Sequence, residues 1–165
     1  QWLFLPELKR VRQITARSKN ESFMGTDFSY RDLELLTDVL EWNEDEARSE
    51  IVGSEKIDGK ESVAIALTPL RKDVGYRMIL IALSQPDLVI RRMEFFADEN
   101  KPKKLLKLNQ IEQVGKVPTA MRLEMTQPAA GTHTTVDVAD VKYDQSLPED
   151  LFTQRALERG ADNAD

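Results

Sequence analysis

Asp27 is the residue whose type and setting in this 165-residue chain best suit acid–base chemistry. Gly25, two positions earlier, permits a tight backbone turn that would present the carboxylate. Apolar residues flank the segment, however, and a buried Asp more often accepts backbone N–H bonds that fix a turn than exchanges protons with a substrate. We therefore interpret the segment as a structural loop whose aromatic residues plug one end of a sheet, with an active site at Asp27 as the alternative. The loop residues are Phe23, Met24, Gly25, Asp27 and Phe28.

His133 is the only histidine, and the chain contains no cysteine. A single strand histidine without cysteine cannot form a usual zinc site, and a Ser-His-Asp triad would need distant residues that the sequence does not mark. No glycine-rich phosphate loop occurs. We therefore predict no catalytic residue, no metal and no cofactor, and a protein that is not an enzyme. A hydrolase that uses Asp27 and His133 is the remaining enzymatic alternative.

The composition excludes several classes of protein. A formal net charge of -6 argues against a general nucleic-acid binder, which needs a positive surface. The absence of cysteine excludes disulfides. The longest apolar run, 78–83, has the length of a strand and is too short for a membrane-spanning helix.

Basic residues nevertheless cluster in two places. Such clusters fit anionic headgroups or an acidic partner, but they are more often solvated hairpin tips, which is the interpretation we favour. The clusters are Lys9, Arg10, Arg12, Arg17 and Lys19, and Lys101, Lys103, Lys104 and Lys107.

Period-two hydrophobic patterns separated by turn residues predict a mainly β, α+β fold with an antiparallel meander. Two helices are expected, one behind a capping box at Ser29–Asp32 and one after Pro148. We expect residues 161–165 to form a frayed tail. The predicted strands are 2–5 and 11–14, then 51–52 and 63–67 joined through Asp58-Gly59, and then 76–84, 88–97, 104–114, 119–127 and 132–143.

Two strands depart from simple alternation. The segment 76–84 is apolar at successive positions, which predicts that both of its faces are covered. In 132–143 the apolar residues change parity between Val138 and Val141, which predicts a bulge or bend near Ala139-Asp140.

Four of the five methionines fall in predicted strands. Flexible methionine side chains suit an adaptable apolar pocket, although they also fill gaps in ordinary cores, and the sequence leaves both interpretations open. A pocket would be lined from several strands. The candidates for an apolar cavity are Val63, Ile65, Leu67, Met78, Leu80, Met93, Phe95, Met121, Leu123 and Met125.

Three groups of residues together resemble the outer-membrane lipoprotein-sorting proteins of the LolA/LolB-like superfamily of bacterial envelopes. The most specific group is the run Phe-Met-Gly-Thr-Asp-Phe at 23–28, preceded by Ser22 and followed by Asp32-Leu33. The resemblance extends over nearly the whole chain. The other two groups are Trp2, Pro6, Leu8, Val11 and Arg12 near the start, and Pro148, Leu151, Phe152, Thr153 and Leu157 near the end.

The resemblance implies a strongly curved antiparallel sheet that forms an incomplete barrel closed by short helices, in one LolA-like domain over 1–165. Relative to the family, the chain enters in the middle of the fold, so we expect the N-terminal part of the family fold to be missing. The first hairpin is then an open edge through which a homodimer would form.

The resemblance also implies a function. It is that of a periplasmic carrier that shields the acyl chains of a lipid or lipoprotein in an apolar cavity during transport to the outer membrane, with an inner-membrane transporter as a further partner. The alternative is a periplasmic accessory protein that binds a transporter or another envelope protein and carries no lipid.

Overall fold

Seven antiparallel strands form one sheet in which each strand pairs with its neighbours in sequence. The computed structural model describes residues 1–5, 8–98 and 101–162, with side chains through 160. The first two strands of the chain form a separate two-stranded sheet. The elements are β1 (Trp2–Leu5), β2 (Arg10–Gln13), α1 (Tyr30–Asp38), β3 (Ala47–Ile57), β4 (Lys60–Pro69), β5 (Met78–Ser84), β6 (Ile90–Phe96), β7 (Lys104–Val114), β8 (Val117–Gln127), β9 (Thr132–Asp137) and α2 (Gln154–Asp162).

The predicted fold class is confirmed. Strands β3 and β9 are the two edges of the larger sheet and do not pair with each other, so the sheet is an incomplete barrel accompanied by short helices. The turn at Asp58-Gly59 joins β3 to β4 as expected, with positive φ at both residues, the geometry that matches the twist of a hairpin.

One face of the sheet, here called the inner face, packs against α1 and contains the core. Residues directly opposite each other on paired strands share a face, and the register aligns one apolar residue from each of the strands β3 to β8 in a row across the sheet. Leu35 of α1 and the C-cap residue Val39 are buried in the same cluster. The row is Ile51, Ile65, Ile81, Met93, Leu106 and Met125.

Strand β5 is covered on both faces, which confirms the prediction from its continuous apolar run. Ile79 and Ile81 are buried on the inner face, while Ala82 and Ser84 are buried on the opposite, outer face. The Ser84 hydroxyl donates to the Asp87 carboxylate at 2.6 Å and accepts from Arg91 Nε at 3.0 Å. Side chains from the β5–β6 connection and β6 therefore cover this end of the outer face.

Helix α1 begins at the predicted capping box. The Ser29 side chain accepts a hydrogen bond from the Asp32 backbone N–H, and the Asp32 carboxylate accepts one from the Ser29 N–H. Asp therefore fills the position that Glu or Gln usually occupies. The second predicted helix is also present, as a single 3-10 turn at Glu149–Phe152 followed by α2.

Other expectations need correction. Strand β9 ends at Asp137, so the bulge or bend of the strand predicted near Ala139-Asp140 does not exist there. The apolar residues change parity because the chain leaves the sheet, and the Tyr143 hydroxyl then bonds that of Thr119 at 2.9 Å. Irregular register occurs instead in β3, between Ile51 and Gly53, and in the pairing of β5 with β6.

Some predicted features lie outside the described residues. They are the first hairpin turn at Pro6 and Glu7, Asn100 in the β6–β7 connection, and Asn163 to Asp165 of the predicted frayed tail. Helix α2 continues for two residues beyond Gly160, where that tail was expected to begin. Among the described helices, none combines the length and the apolar character needed to cross a membrane.

Candidate functional site

The 22–29 loop is a tight turn closed by its own backbone. Phe23 N–H donates to the Phe28 carbonyl at 2.8 Å, and Ser22 bridges to Ser29. Met24 and Gly25 have φ values of 52° and 76°. Gly25 therefore makes the turn as expected, while Met24 is exposed and lies outside the apolar plug, which consists of Phe28 with Phe23 packed against the core.

The Asp27 carboxylate fastens this loop to the end of the sheet. It accepts hydrogen bonds from Gln127 Nε2 at 2.8 Å, Thr132 Oγ1 at 2.5 Å and Thr134 Oγ1 at 2.8 Å. The expected partners, backbone N–H groups of its own turn, are replaced by side chains of β8 and β9. Burial alone would raise the pKa of Asp27, but these hydrogen bonds and the charge of Lys104 outweigh it and lower the pKa below its usual value.

Lys104 is buried, with 6% of its surface exposed. Its ammonium donates to the Asp27 carbonyl at 2.7 Å and to the Asp32 carboxylate at 2.6 Å. The Tyr76 hydroxyl donates to the other Asp32 oxygen at 2.6 Å. Burial, followed by the charge of Asp32, raises the pKa of Tyr76 well above its usual value. Asp27, Asp32, Tyr76 and Lys104 thus form one network, here called the polar anchor.

The sequence placed Lys104 in a solvated basic cluster, and this assignment is wrong. The signal that identifies it is the alternation Lys104, Leu106, Leu108, because every second residue of a strand points to the same face. Position 104 therefore belongs to the inner face.

The polar anchor borders a pocket of about 290 Å³ at the end of the sheet. The charged groups of the polar anchor form their hydrogen bonds with other groups of the protein, so their role is structural. His133 lies between Thr132 and Thr134 on β9 and so points to the outer face, away from Asp27. Within the described residues, no three histidine or acidic side chains come together as metal ligands.

An apolar groove of about 320 Å³ opens where α1 ends over strands β3 to β5. Leu67 and Ile81 are buried, and Leu40 and Ile51 are 66% and 71% exposed. The groove exists because α1 ends at Asp38 and leaves the inner face near the β3 edge uncovered. Its lining residues are Val39, Leu40, Ser49, Glu50, Ile51, Ile65, Leu67, Ile81 and Leu83.

The structure separates the ten predicted cavity residues into four sets. Ile65 and Leu67 line the groove, and Val63 shares their face of β4. Met93, Phe95 and Met125 are fully buried in the core. The half-buried Met121 and Leu123 lie on the same face of β8 as Met125, whereas Met78 and Leu80 lie on the outer face, away from the groove.

Five apolar lining residues of the groove were not predicted from the sequence. Apolar and polar residues do not alternate in the continuous apolar run of β5, so the sequence does not show which of its residues face inward. Met78 and Leu80 were therefore selected instead of the inner-facing residues. The adjacent apolar pair at 51–52 of a predicted strand was the available signal for the rim. The missed residues are Val39, Leu40, Ile51, Ile81 and Leu83.

A family profile described as "Uncharacterized protein" matches residues 1–159. The chain belongs to this family. No curated protein sequence matches the chain. The predicted resemblance to the LolA/LolB-like superfamily is confirmed by solved structures.

Two solved structures are similar in both fold and sequence. A domain described as an outer membrane lipoprotein-sorting protein, from Vibrio parahaemolyticus, has 28% identity and a TM-score of 0.83 over 96% of this chain and 66% of its own. A DUF1329 family protein from Desulfovibrio piger has 27% identity and a TM-score of 0.85 over 94% of this chain and 63% of its own. The chain therefore spans less than two thirds of either protein.

A LolA superfamily protein from Nitrosomonas europaea shares the fold with a TM-score of 0.68 at 18% identity, covering 94% of this chain and 66% of its own. At this identity the likeness concerns the fold alone. The incomplete barrel described above is thus a LolA-like fold.

Proposed function

We propose that this protein is a periplasmic carrier that binds one acyl chain of a lipid or lipoprotein in the apolar groove and shields it during transport to the outer membrane. The observation that carries the proposal is the groove itself, an open apolar space on the inner face of an incomplete barrel. The similar lipoprotein-sorting domain and the LolA-like fold support it.

The energetics favour a groove over scattered surface contacts. Moving an acyl chain of about 14 to 16 carbons out of a bilayer costs roughly 11 to 13 kcal/mol at about 0.8 kcal/mol per methylene. A cavity of about 150 Å³ binds one benzene. By that scale the groove, at about 320 Å³, holds about a dozen carbons of a single chain.

The ligand has to lie near the β3 edge, because the centre of the inner face is solid protein. Ile79, Met93, Phe95, Leu106 and Met125 are each 0% exposed and pack in the core. Of the predicted cavity residues, we therefore propose Ile65 and Leu67 as ligand contacts and Met93, Phe95 and Met125 as core residues.

The same packing favours the second candidate function, an accessory protein that binds a transporter or another envelope protein without carrying lipid. A filled core is what that function predicts. We propose no enzymatic activity, since Asp27 and His133 lie on opposite sides of β9 and the polar anchor uses its charges to hold the fold.

The partners that follow from the carrier proposal are a lipoprotein or lipid and an inner-membrane transporter. A homodimer through an open sheet edge remains a prediction. That edge is the first hairpin, and native mass spectrometry tests it: a dimer mass would support the prediction, and a monomer mass would contradict it.

Replacing Ile51 with Asp tests the carrier proposal directly. Ile51 is a rim residue and 71% exposed, so the change places a carboxylate at the groove without disturbing the core. We expect Ile51→Asp to weaken saturable binding of a fluorescent fatty acid at least tenfold while the melting temperature stays within a few degrees.

Val52→Asp is the matched control. Val52 is the adjacent residue, 52% exposed, and is not among the groove-lining residues. It should bind the probe like the unchanged protein. If no probe binds saturably, or if both variants bind normally, the carrier proposal is wrong, and the accessory function is favoured.

A further inference from the structure

The hairpin β1–β2 carries positive charge on an acidic protein. Residues 8–19 contain five Lys or Arg and no Asp or Glu, while the whole chain has a formal net charge of -6; Glu7 and Glu21 flank the run. Such a concentration of one sign in one short stretch of the chain creates a local positive potential that attracts anionic partners.

Most of these cations are available to a partner. Arg12 pairs with Glu21 at 3.7 Å, and Lys19 pairs with Glu34. For Lys9, Arg10 and Arg17, no carboxylate among the described residues lies within ion-pair distance, and all three are exposed. Their charge is therefore not neutralised within the described protein.

Leucines accompany the cations on one face of the hairpin. Leu3 is directly opposite Arg12, and Leu5 is directly opposite Arg10, so these four side chains share a face. Both leucines are half-buried, and Leu8 in the turn beside Lys9 is 61% exposed. Leu3, Leu5, Leu8, Lys9, Arg10 and Arg12 are here called the hairpin surface.

We propose that the hairpin surface binds an anionic phospholipid surface, with Leu8 entering the interface and Lys9, Arg10 and Arg12 contacting phosphate groups. Recognition of an acidic protein partner would need only the cations and not the leucines. The adjoining leucines favour a lipid surface, because interfacial segments combine apolar residues at the headgroup boundary with Lys and Arg. This docking is separate from the groove and does not depend on acyl-chain binding.

Flotation of the full chain with lipid vesicles tests the proposal. We expect binding to vesicles of phosphatidylcholine containing phosphatidylglycerol, loss of binding in pure phosphatidylcholine, and weakening as salt is raised. The double variant Lys9→Gln/Arg10→Gln should bind about 30-fold more weakly, from about one kcal/mol per cation near such a surface. Leu8→Ser should also weaken binding.

Lys60→Gln/Lys116→Gln is the matched control. It removes the same charge from two exposed lysines in or beside the β3–β4 and β7–β8 turns, in a different part of the chain. It should bind vesicles like the unchanged protein. Equal binding to neutral vesicles, equal loss in both double variants, or no vesicle binding would overturn the proposal.

Two further measurements distinguish lipid docking from binding of an acidic protein and from acyl-chain binding in the groove. Binding to poly-glutamate, dependent on Lys9 and Arg10 and without vesicle binding, would assign the hairpin surface to an acidic protein and refute lipid docking. The Lys9→Gln/Arg10→Gln variant should keep normal fatty-acid binding, whereas Ile51→Asp should keep normal vesicle binding, so failure of one function is distinguishable from failure of the other.

Discussion

Asp27 joins two parts of the chain that are at least 100 residues apart, and its carboxylate accepts hydrogen bonds from the surrounding hydroxyl and amide groups. Because its folded pKa is lowered, the ionised form contributes stability that is fully present above the unfolded pKa near 3.9. That contribution is lost as the pH falls through the lower folded pKa.

We predict that Asp27→Asn destabilises the protein by about 1 to 3 kcal/mol at pH 7, the usual loss for charged hydrogen bonds. The difference in the free energy of unfolding between this variant and the unchanged protein should shrink below pH 4. Urea unfolding between pH 3 and pH 7 measures it, with Asp137→Asn, in an exposed pair with Arg122, as a control that changes little. A difference that is constant with pH would contradict a charged Asp27.

Lys104 and Asp32 form a buried ion pair at 2.6 Å. Lys104→Met leaves the Asp32 carboxylate without its cation, and we expect a loss of about 3 to 5 kcal/mol in the free energy of unfolding. Adding Asp32→Asn removes the stranded charge, so the double variant should be more stable than the sum of the two single losses predicts. Additive losses in a double-mutant cycle would contradict a coupled pair.

At the scale of elements, α1 positions both the polar anchor and one wall of the groove. The Ser29 side chain accepts a hydrogen bond from a backbone N–H group in the first turn of this nine-residue helix. We predict that Ser29→Ala lowers the free energy of unfolding by about 1 kcal/mol, the usual cost of losing an N-cap. Thr37→Ala, an exposed change in the same helix, is the control, and equal losses would show that the cap contributes nothing specific.

Local signals in the sequence predicted most elements. Strand β7 has the predicted bounds, and the capping box placed α1, because alternation and capping depend on residues close in sequence. The end of β9 was missed because the apolar pattern continues after the chain leaves the sheet. The inner face of β5 could not be identified from the sequence, because a strand covered on both sides has no alternation of apolar and polar residues.

At the scale of the whole molecule, the sites depend on contacts that a single sequence does not show. The partners of Asp27 on β8 and β9, and the meeting of the end of α1 with β3 to β5, arise only from the tertiary arrangement. The sequence correctly predicted an incomplete barrel. Its cavity candidates come from β4, β5, β6 and β8, and three of them, Met93, Phe95 and Met125, are buried in the core.

The central claim is that an acyl chain occupies the groove at the β3 edge. Cross-linking with a fatty acid that carries a photoreactive group, followed by peptide mass spectrometry, tests it most directly. We predict saturable adducts on Leu40 and Ile51, competed by unlabelled fatty acid and absent in Ile51→Asp. Adducts confined to the outer face, for example at Met78 or Leu80, or adducts that do not saturate, would contradict the account.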